Sequence, residues 1–245
     1  MTKLAACIVL MALTFSARAI TWVDVEVDDP ILEGARCKVH EPASWGSYIY
    51  NWPSKYDQVF WPLTEQYGIW FCEKSGFTAF IGGFSDLDST EITKIRAYLA
   101  QNPPKDGSIE TKLALLKAIY SFRNVDKNFN NRLLRVLARW QQDLGNIDTA
   151  NEYRREALAE IELALATELE EYQNIEYLYL AASYSKLLGN QTNSDTYLSK
   201  LILALDNITR EENKDYADYI RKLYPDIKNI KAGGALDPEK TEIRY

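Results

Sequence analysis

Apolar positions along the chain recur at two different periods, and the change comes near residue 86. From Ile20 to Phe84 they fall in short runs, many of them aromatic, broken by Gly and Pro. Gly46-Ser47-Tyr48-Ile49-Tyr50-Asn51-Trp52 and Tyr67-Gly68-Ile69-Trp70-Phe71-Cys72 have the composition of strands and are bounded by Pro53, Pro62 and Gly76. Residues 20–85 are therefore expected to form a small β-rich, aromatic, ribbon-like module. From Asp86 onward, spacings of three and four take over. Asp88-Ser89-Thr90-Glu91 reads as a capping box that opens a helix, and Pro103-Pro104 end that helix at Asn102. Ser108 caps a second helix, whose inner stripe is Ile109, Leu113, Leu116, Ile119 and Phe122. A third carries Leu133, Leu134, Leu137, Trp140 and Leu144 and stops at Gly145. Further helices are expected over 148–172, 174–188, 192–207 and 212–224, the last ended by Pro225. The expected class is mainly α, a small β-rich module followed by an antiparallel, repeat-like helical array over 86–231. Residues 232–245 are expected to be a flexible tail.

Residues 1–19 precede both parts and read as a cleavable secretory signal. Lys3 supplies the basic start, Leu4 to Phe15 the apolar stretch, and Ala17-Arg18-Ala19 the small-x-small cleavage pattern. That stretch is shorter than the roughly 20 residues a membrane-spanning helix needs, and no later segment qualifies. Leu4-Ala5-Ala6-Cys7 has the outline of a lipoprotein box but leaves almost no apolar stretch ahead of Cys7. The expected address is secreted, most directly periplasmic. Removing Lys3 and Arg18 with the signal takes the formal net charge from −7 to −9. That acidity argues against nucleic acid or an anionic membrane surface as the partner.

The helical half contains a repeat. Leu144-Gly145-Asn146 followed by Tyr153 recurs 44 residues later as Leu188-Gly189-Asn190 followed by Tyr197. Ala138 and Trp140 match Ala182 and Tyr184 at the same offset. Each unit reads as helix, glycine turn, helix, with small residues where the helices approach closely. Leu134, Leu137, Ala138, Gly145, Ala150, Tyr153, Ala157 and Leu158 give the first unit the register of a tetratricopeptide repeat, which it resembles. In the second unit Leu178, Ala182, Gly189 and Tyr197 fit, while Ser194 and Leu201 replace the expected alanines.

Cys37-Lys38-Val39-His40 has the spacing of a metal knuckle and contains the chain's only histidine. Cys72 opens the outline of a second, with Ser75 at its later position. A closed zinc site needs four S or N ligands, so Cys37, His40 and Cys72 are one short. Three states are open to the two cysteines: a disulfide, a zinc site and free thiols. An oxidising compartment favours a Cys37–Cys72 disulfide. The stretch from Gly46-Ser47-Tyr48-Ile49-Tyr50 through Trp70-Phe71-Cys72 to Ser75-Gly76-Phe77-Thr78-Ala79-Phe80, followed by repeat-like helices, resembles a bacterial family known only as a domain of unknown function. The resemblance covers about residues 35–205. It implies a two-knuckle, zinc-ribbon-like module joined to tetratricopeptide-like helices, with His40 and Ser75 standing where that family has cysteines, and it implies no activity.

Two sets of residues are candidates for binding. Arg132, Arg135 and Arg139 follow i, i+3, i+7 spacing, and Arg154-Arg155 lie across the turn. With Arg135, Arg139 and Arg154 on a groove, they would grip an acidic peptide or a carboxylate terminus; as a solvated face they would pair with acids such as Asp143 and Glu156. Ten aromatics lie between Trp45 and Phe71. Trp45, Tyr50, Trp52 and Trp61 would form a sugar-stacking surface if exposed, or a core if buried. No phosphate-binding glycine loop, serine elbow or His-Glu metal motif is present, and Glu168, Glu170 and Glu171 read as a solvated helical face. The expectation is a non-enzymatic protein- or peptide-binding module without a cofactor. A glycan- or envelope-polymer-binding protein is the second reading and a carboxylate-based hydrolase the third.

Overall fold

A computed structural model describes residues 21–44 and 53–237. The predicted strand over 46–52 and residues 1–19 lie outside that range. β1 (Thr21–Asp28) and β2 (Arg36–Ser44) form an antiparallel ribbon, with Val25 opposite Val39 and Val27 opposite Cys37. Neither segment was among the predicted strands, although Val23, Val25 and Val27 alternate with Asp24, Glu26 and Asp28. A second two-stranded sheet pairs β3 (Ile69–Phe71), inside the predicted 67–72 segment, with β4 (Thr78–Phe80). These short strands are buried on both faces, so they read as continuous apolar runs rather than as alternation.

Seven helices follow among the described residues: α1 (Ser89–Gln101), α2 (Ile109–Tyr120), α3 (Lys127–Asp143), α4 (Ile147–Leu165), α5 (Glu171–Leu187), α6 (Gln191–Asp206) and α7 (Lys214–Leu223). The capping box is present: Asp88 Oδ1 accepts the Glu91 N–H at 2.8 Å and Glu91 Oε2 accepts the Asp88 N–H at 3.0 Å. Gly145 and Gly189 adopt φ of +83° and +84° and turn the chain between α3 and α4 and between α5 and α6. A side chain would be strained at either position, which is why glycine stands there.

One expected helix was too long. The span 148–172 ends at Leu165, and the acidic run beyond it belongs to a turn and to the start of α5. Glu171 sits in the first turn of α5, where the helix dipole favours a carboxylate, and accepts bonds from Thr209 N at 2.8 Å and Asn213 Nδ2 at 2.7 Å. These bonds hold the Glu171 carboxyl down to about 2, the Asn213 side chain first and the Thr209 backbone next. Glu171 is thus a solvent-accessible tether between α5 and the 209–213 turn.

The core has two lobes. The first joins Ile31, Val39, Trp70, Phe77 and Phe84 to α1, α2 and the Leu133, Val136 and Leu137 side of α3, so it runs across residue 86. The second lies among α4 to α7 and includes Leu134 and, from far earlier in the chain, Tyr56. The expected flexible tail is not loose over 232–237. Gly233 N donates to Leu187 O at 2.7 Å, Leu236 N donates to Gln142 Oε1 at 2.8 Å, and Leu236 is buried. Residues 238–245 lie outside the described range.

Candidate functional site

Two of the three arginines on α3, Arg135 and Arg139, turn inward, and the chain itself meets Arg135. Residues 55–60, in a short 3₁₀ turn and the irregular stretch after it, run across the inner side of α3, α4, α5 and α7. Asp57 is the centre. Its carboxylate takes both Nε and Nη2 of Arg154 at 2.9 and 2.8 Å, and the Tyr184 hydroxyl donates to Oδ1 at 2.7 Å. Arg154 is 0% exposed and Asp57 3%. Burial alone would lower the Arg154 guanidinium, but the Asp57 charge and bonds outweigh it and hold it above the usual arginine value. Burial and the Asp57 charge together push the Tyr184 hydroxyl well up.

Arg135 holds the same stretch, and Arg139 lies one turn further along α3. Arg135 Nη1 donates to the carbonyls of Asp57 and Gln58 at 3.2 and 3.1 Å and to Glu176 Oε1 at 3.0 Å. Arg139 pairs with Asp143 at 2.8 Å and lies over the Trp140 ring, 4.6 Å from its centroid. Trp140 Nε1 donates to Leu63 O at 3.0 Å, and Tyr216 OH donates to Gln58 Oε1 at 3.0 Å. Tyr56 OH reaches Asp226 Oδ2 at 3.3 Å. Arg135, Arg139 and Arg154 are therefore all buried, and Arg154 and Arg135 hold a segment of their own chain. Arg132, one turn before Arg135, is exposed.

An open cleft of about 500 Å³ remains beside the inserted stretch. Phe60, Phe129, Tyr172, Tyr177 and Tyr216 wall it, with Arg132 and the Arg135–Glu176 pair at its side. Amides of Asn128 and Gln173 line it too; Asn128 Oδ1 accepts from the Tyr177 hydroxyl at 3.1 Å. Such a lining can bind through apolar contact, stacking and hydrogen bonds, and it contains no cysteine, serine or histidine to act as a nucleophile or proton shuttle.

Cys37 and Cys72 form a disulfide with Cα atoms 5.0 Å apart, closing 35 residues. His40 stands on the other face of β2, because residues three apart in a strand point to opposite sides. Its Nδ1 lies 2.9 Å from Asp24 Oδ1, and its ring lies 4.1 Å from that of Tyr67. Ser75 Oγ accepts the Phe77 N–H at 3.1 Å. Asp29, Cys37 and Cys72 do come together, with Asp29 Oδ2 3.0 Å from the Cys72 sulfur. A metal would need thiolates there, and each sulfur is bonded to the other. Of the aromatic candidates, Trp61 is half-buried with its ring 5.7 Å from that of Trp22, while Trp45, Tyr50 and Trp52 lie outside the described residues. Tyr56, Trp70 and Phe71 from the same run are core residues.

A family described as an uncharacterized protein conserved in bacteria (DUF2225) matches residues 36–227, well over half of the chain. The chain belongs to that family. The match begins within β2 and ends after α7, so it spans the disulfide, the inserted stretch and the helical array alike. No curated protein and no solved structure matches the chain.

Asp57, Glu176 and Tyr184 were not recognised as partners of the arginines from sequence, nor Phe129, Tyr172, Tyr177 and Tyr216 as cleft residues. One signal was available for the first. Asp57 is a lone acid in the run Tyr56-Asp57-Gln58-Val59-Phe60-Trp61, and an acid among large apolar residues needs a buried partner.

Proposed function

We propose that this chain is an exported, non-enzymatic interaction module that takes a segment of a protein or peptide partner in the cleft between residues 58–60 and helices α3, α5 and α7. The observation that carries the reading is the cleft's construction: five aromatic side chains and an exposed arginine around an open space of about 500 Å³. Tyr and Arg are the residues that supply most of the energy at protein interfaces, since they offer large contact area with a polar end. The tetratricopeptide-like spacing supports the same reading, because stacked helix pairs build concave binding faces. The signal-like residues 1–19 and the Cys37–Cys72 disulfide favour a periplasmic address. Among the described residues no helix is long and apolar enough to cross a membrane.

Photocrosslinking in the producing cell tests this. A benzophenone amino acid at position 172 should yield a discrete protein or peptide adduct, and one at Leu163, an exposed position on α4, should not. Adducts from 163 and none from 172 would place the interface elsewhere and sink the reading.

A further inference from the structure

We infer that the segment taken by this cleft carries an acidic side chain, which lies on Arg132 while apolar or aromatic neighbours enter clefts on either side; the inference rests on the interaction reading above. Beside the first cleft is a second, of about 400 Å³, bounded by the 62–63 and 80–83 turns and by α2 and α3. Phe129 and Arg132 line both, so an extended chain crossing Arg132 meets both clefts.

Arg132 differs from the other two arginines of its row and from Arg154 on α4. Arg135, Arg139 and Arg154 each have a carboxylate within 3.0 Å, whereas among the described residues no carboxylate lies within 4 Å of the Arg132 guanidinium. That guanidinium instead lies over the Phe129 ring, 5.2 Å from its centroid, with its outer face open to solvent. A second guanidinium lines each cleft and keeps an unused donor: Arg123 Nε in one and Arg135 Nε in the other are buried without a hydrogen-bond partner. The carboxylates at the clefts are engaged already. Asp86 is bonded to Ser85 Oγ, Asp126 Oδ1 caps α3 by accepting the Phe129 N–H at 2.7 Å, and Glu176 holds Arg135.

The charge of Arg132 reaches both spaces. Burial raises the Tyr120 hydroxyl in the second cleft, and the charges of Arg123 and Arg132 work against that rise. Burial likewise raises Tyr172 in the first, with Glu176 adding and Arg135 and Arg132 opposing. A free small anion would gain only the exposed Arg132, a contact that water and salt screen. A peptide adds apolar burial in two clefts to the same ion pair. A long polyanion such as nucleic acid meets the chain's net charge of −7.

The test is fluorescence anisotropy of labelled random copolymers with the purified, disulfide-formed protein. A Glu/Tyr copolymer should bind saturably, a Lys/Tyr copolymer should not, and a Glu homopolymer should bind more weakly than Glu/Tyr. Arg132→Glu should weaken Glu/Tyr binding by about tenfold or more. Lys228→Glu, the same charge change at an exposed site after α7, should leave it unchanged. Equal binding of Glu/Tyr by wild type and Arg132→Glu overturns the inference. If a Ser/Tyr copolymer binds as well as Glu/Tyr and Tyr172→Ala removes both, the acidic specificity fails while the cleft reading stands. If only a labelled oligosaccharide binds, again lost in Tyr172→Ala, the inference fails and the peptide reading with it.

Discussion

The β1–β2 ribbon and the irregular stretch 55–60 both join the amino-terminal part to the helices, and they do so by opposite chemistry. The ribbon is held by apolar contact and a covalent bond: Ile31 and Val39 enter the first core lobe, and Cys37 is bonded to Cys72 just beyond β3. The stretch 55–60 has no sheet to join, and its polar groups are as deeply buried as its apolar ones. Arg154, Tyr184 and Arg135 saturate Asp57 and the carbonyls around it. Apolar contact is nondirectional and degrades gradually when a side chain changes shape. A buried ion pair is directional and fails steeply, because removing one member leaves the other charged in a dry place. The second fastening also builds the cleft, since Gln58 and Phe60 are part of its wall.

The largest expected effect breaks the polar side of that contrast. Asp57→Ala strands the Arg154 guanidinium and should cost about 3–5 kcal/mol in urea unfolding. An Asp57→Leu/Arg154→Met double variant should recover a large part of the loss, as the charges disappear together. A cost below about 1 kcal/mol for Asp57→Ala would mean that the pair is not what fastens the stretch. Next comes the covalent side. Cys37→Ser with Cys72→Ser should cost about 3–4 kcal/mol, the value expected for a 35-residue closure. Titration of the denatured, unreduced protein should find neither thiol reactive; two reactive thiols would remove the staple altogether.

Smaller effects sharpen the comparison. Trp140→Phe keeps the ring under Arg139 and deletes the bond to Leu63 O, so a loss of about 1 kcal/mol is expected from denaturant midpoints. The smallest concerns Glu171, far from either fastening. Its folded-state carboxyl lies at about 2 against an ordinary 4.5, so its contribution is fully present above pH 4.5 and is lost as pH falls through 2. Glu171→Gln should lower the melting temperature by no more than about a degree or two at pH 7. At pH 1, below the folded-state value, wild type and variant should melt together. A difference that persists unchanged at pH 1 would show that charge is not the source.

Legibility followed the kind of interaction. The helix starts at Asp88 and Ser108 and the turns at Gly145 and Gly189 were readable because caps and turns are local. Each depends on residues within a few positions of one another. The β1–β2 ribbon was readable in principle from Val23, Val25 and Val27 but was masked by the stronger aromatic signal downstream. The end of α4 was misplaced because Glu168, Glu170 and Glu171 suit a helix by propensity. The partners of Glu171 at Thr209 and Asn213 lie about 40 residues away, and no local pattern announces them.

The arginine row shows where sequence stops. Spacing of i, i+3 and i+7 determines that Arg132, Arg135 and Arg139 share one side of α3, and this needs only the 3.6-residue turn. Whether that side meets solvent, a partner or the chain itself depends on where Asp57 lands, 78 residues before Arg135. By itself the sequence determined the mainly α class, the helix caps and glycine turns, and a pair of cysteines suited to oxidation. Tertiary structure decided which arginines are spent inside the molecule and which one is left facing the cleft. The physical reason is that caps and amphipathic stripes are short-range properties of the backbone. A buried charge, by contrast, is tolerable only where the fold brings its partner, however distant in the chain.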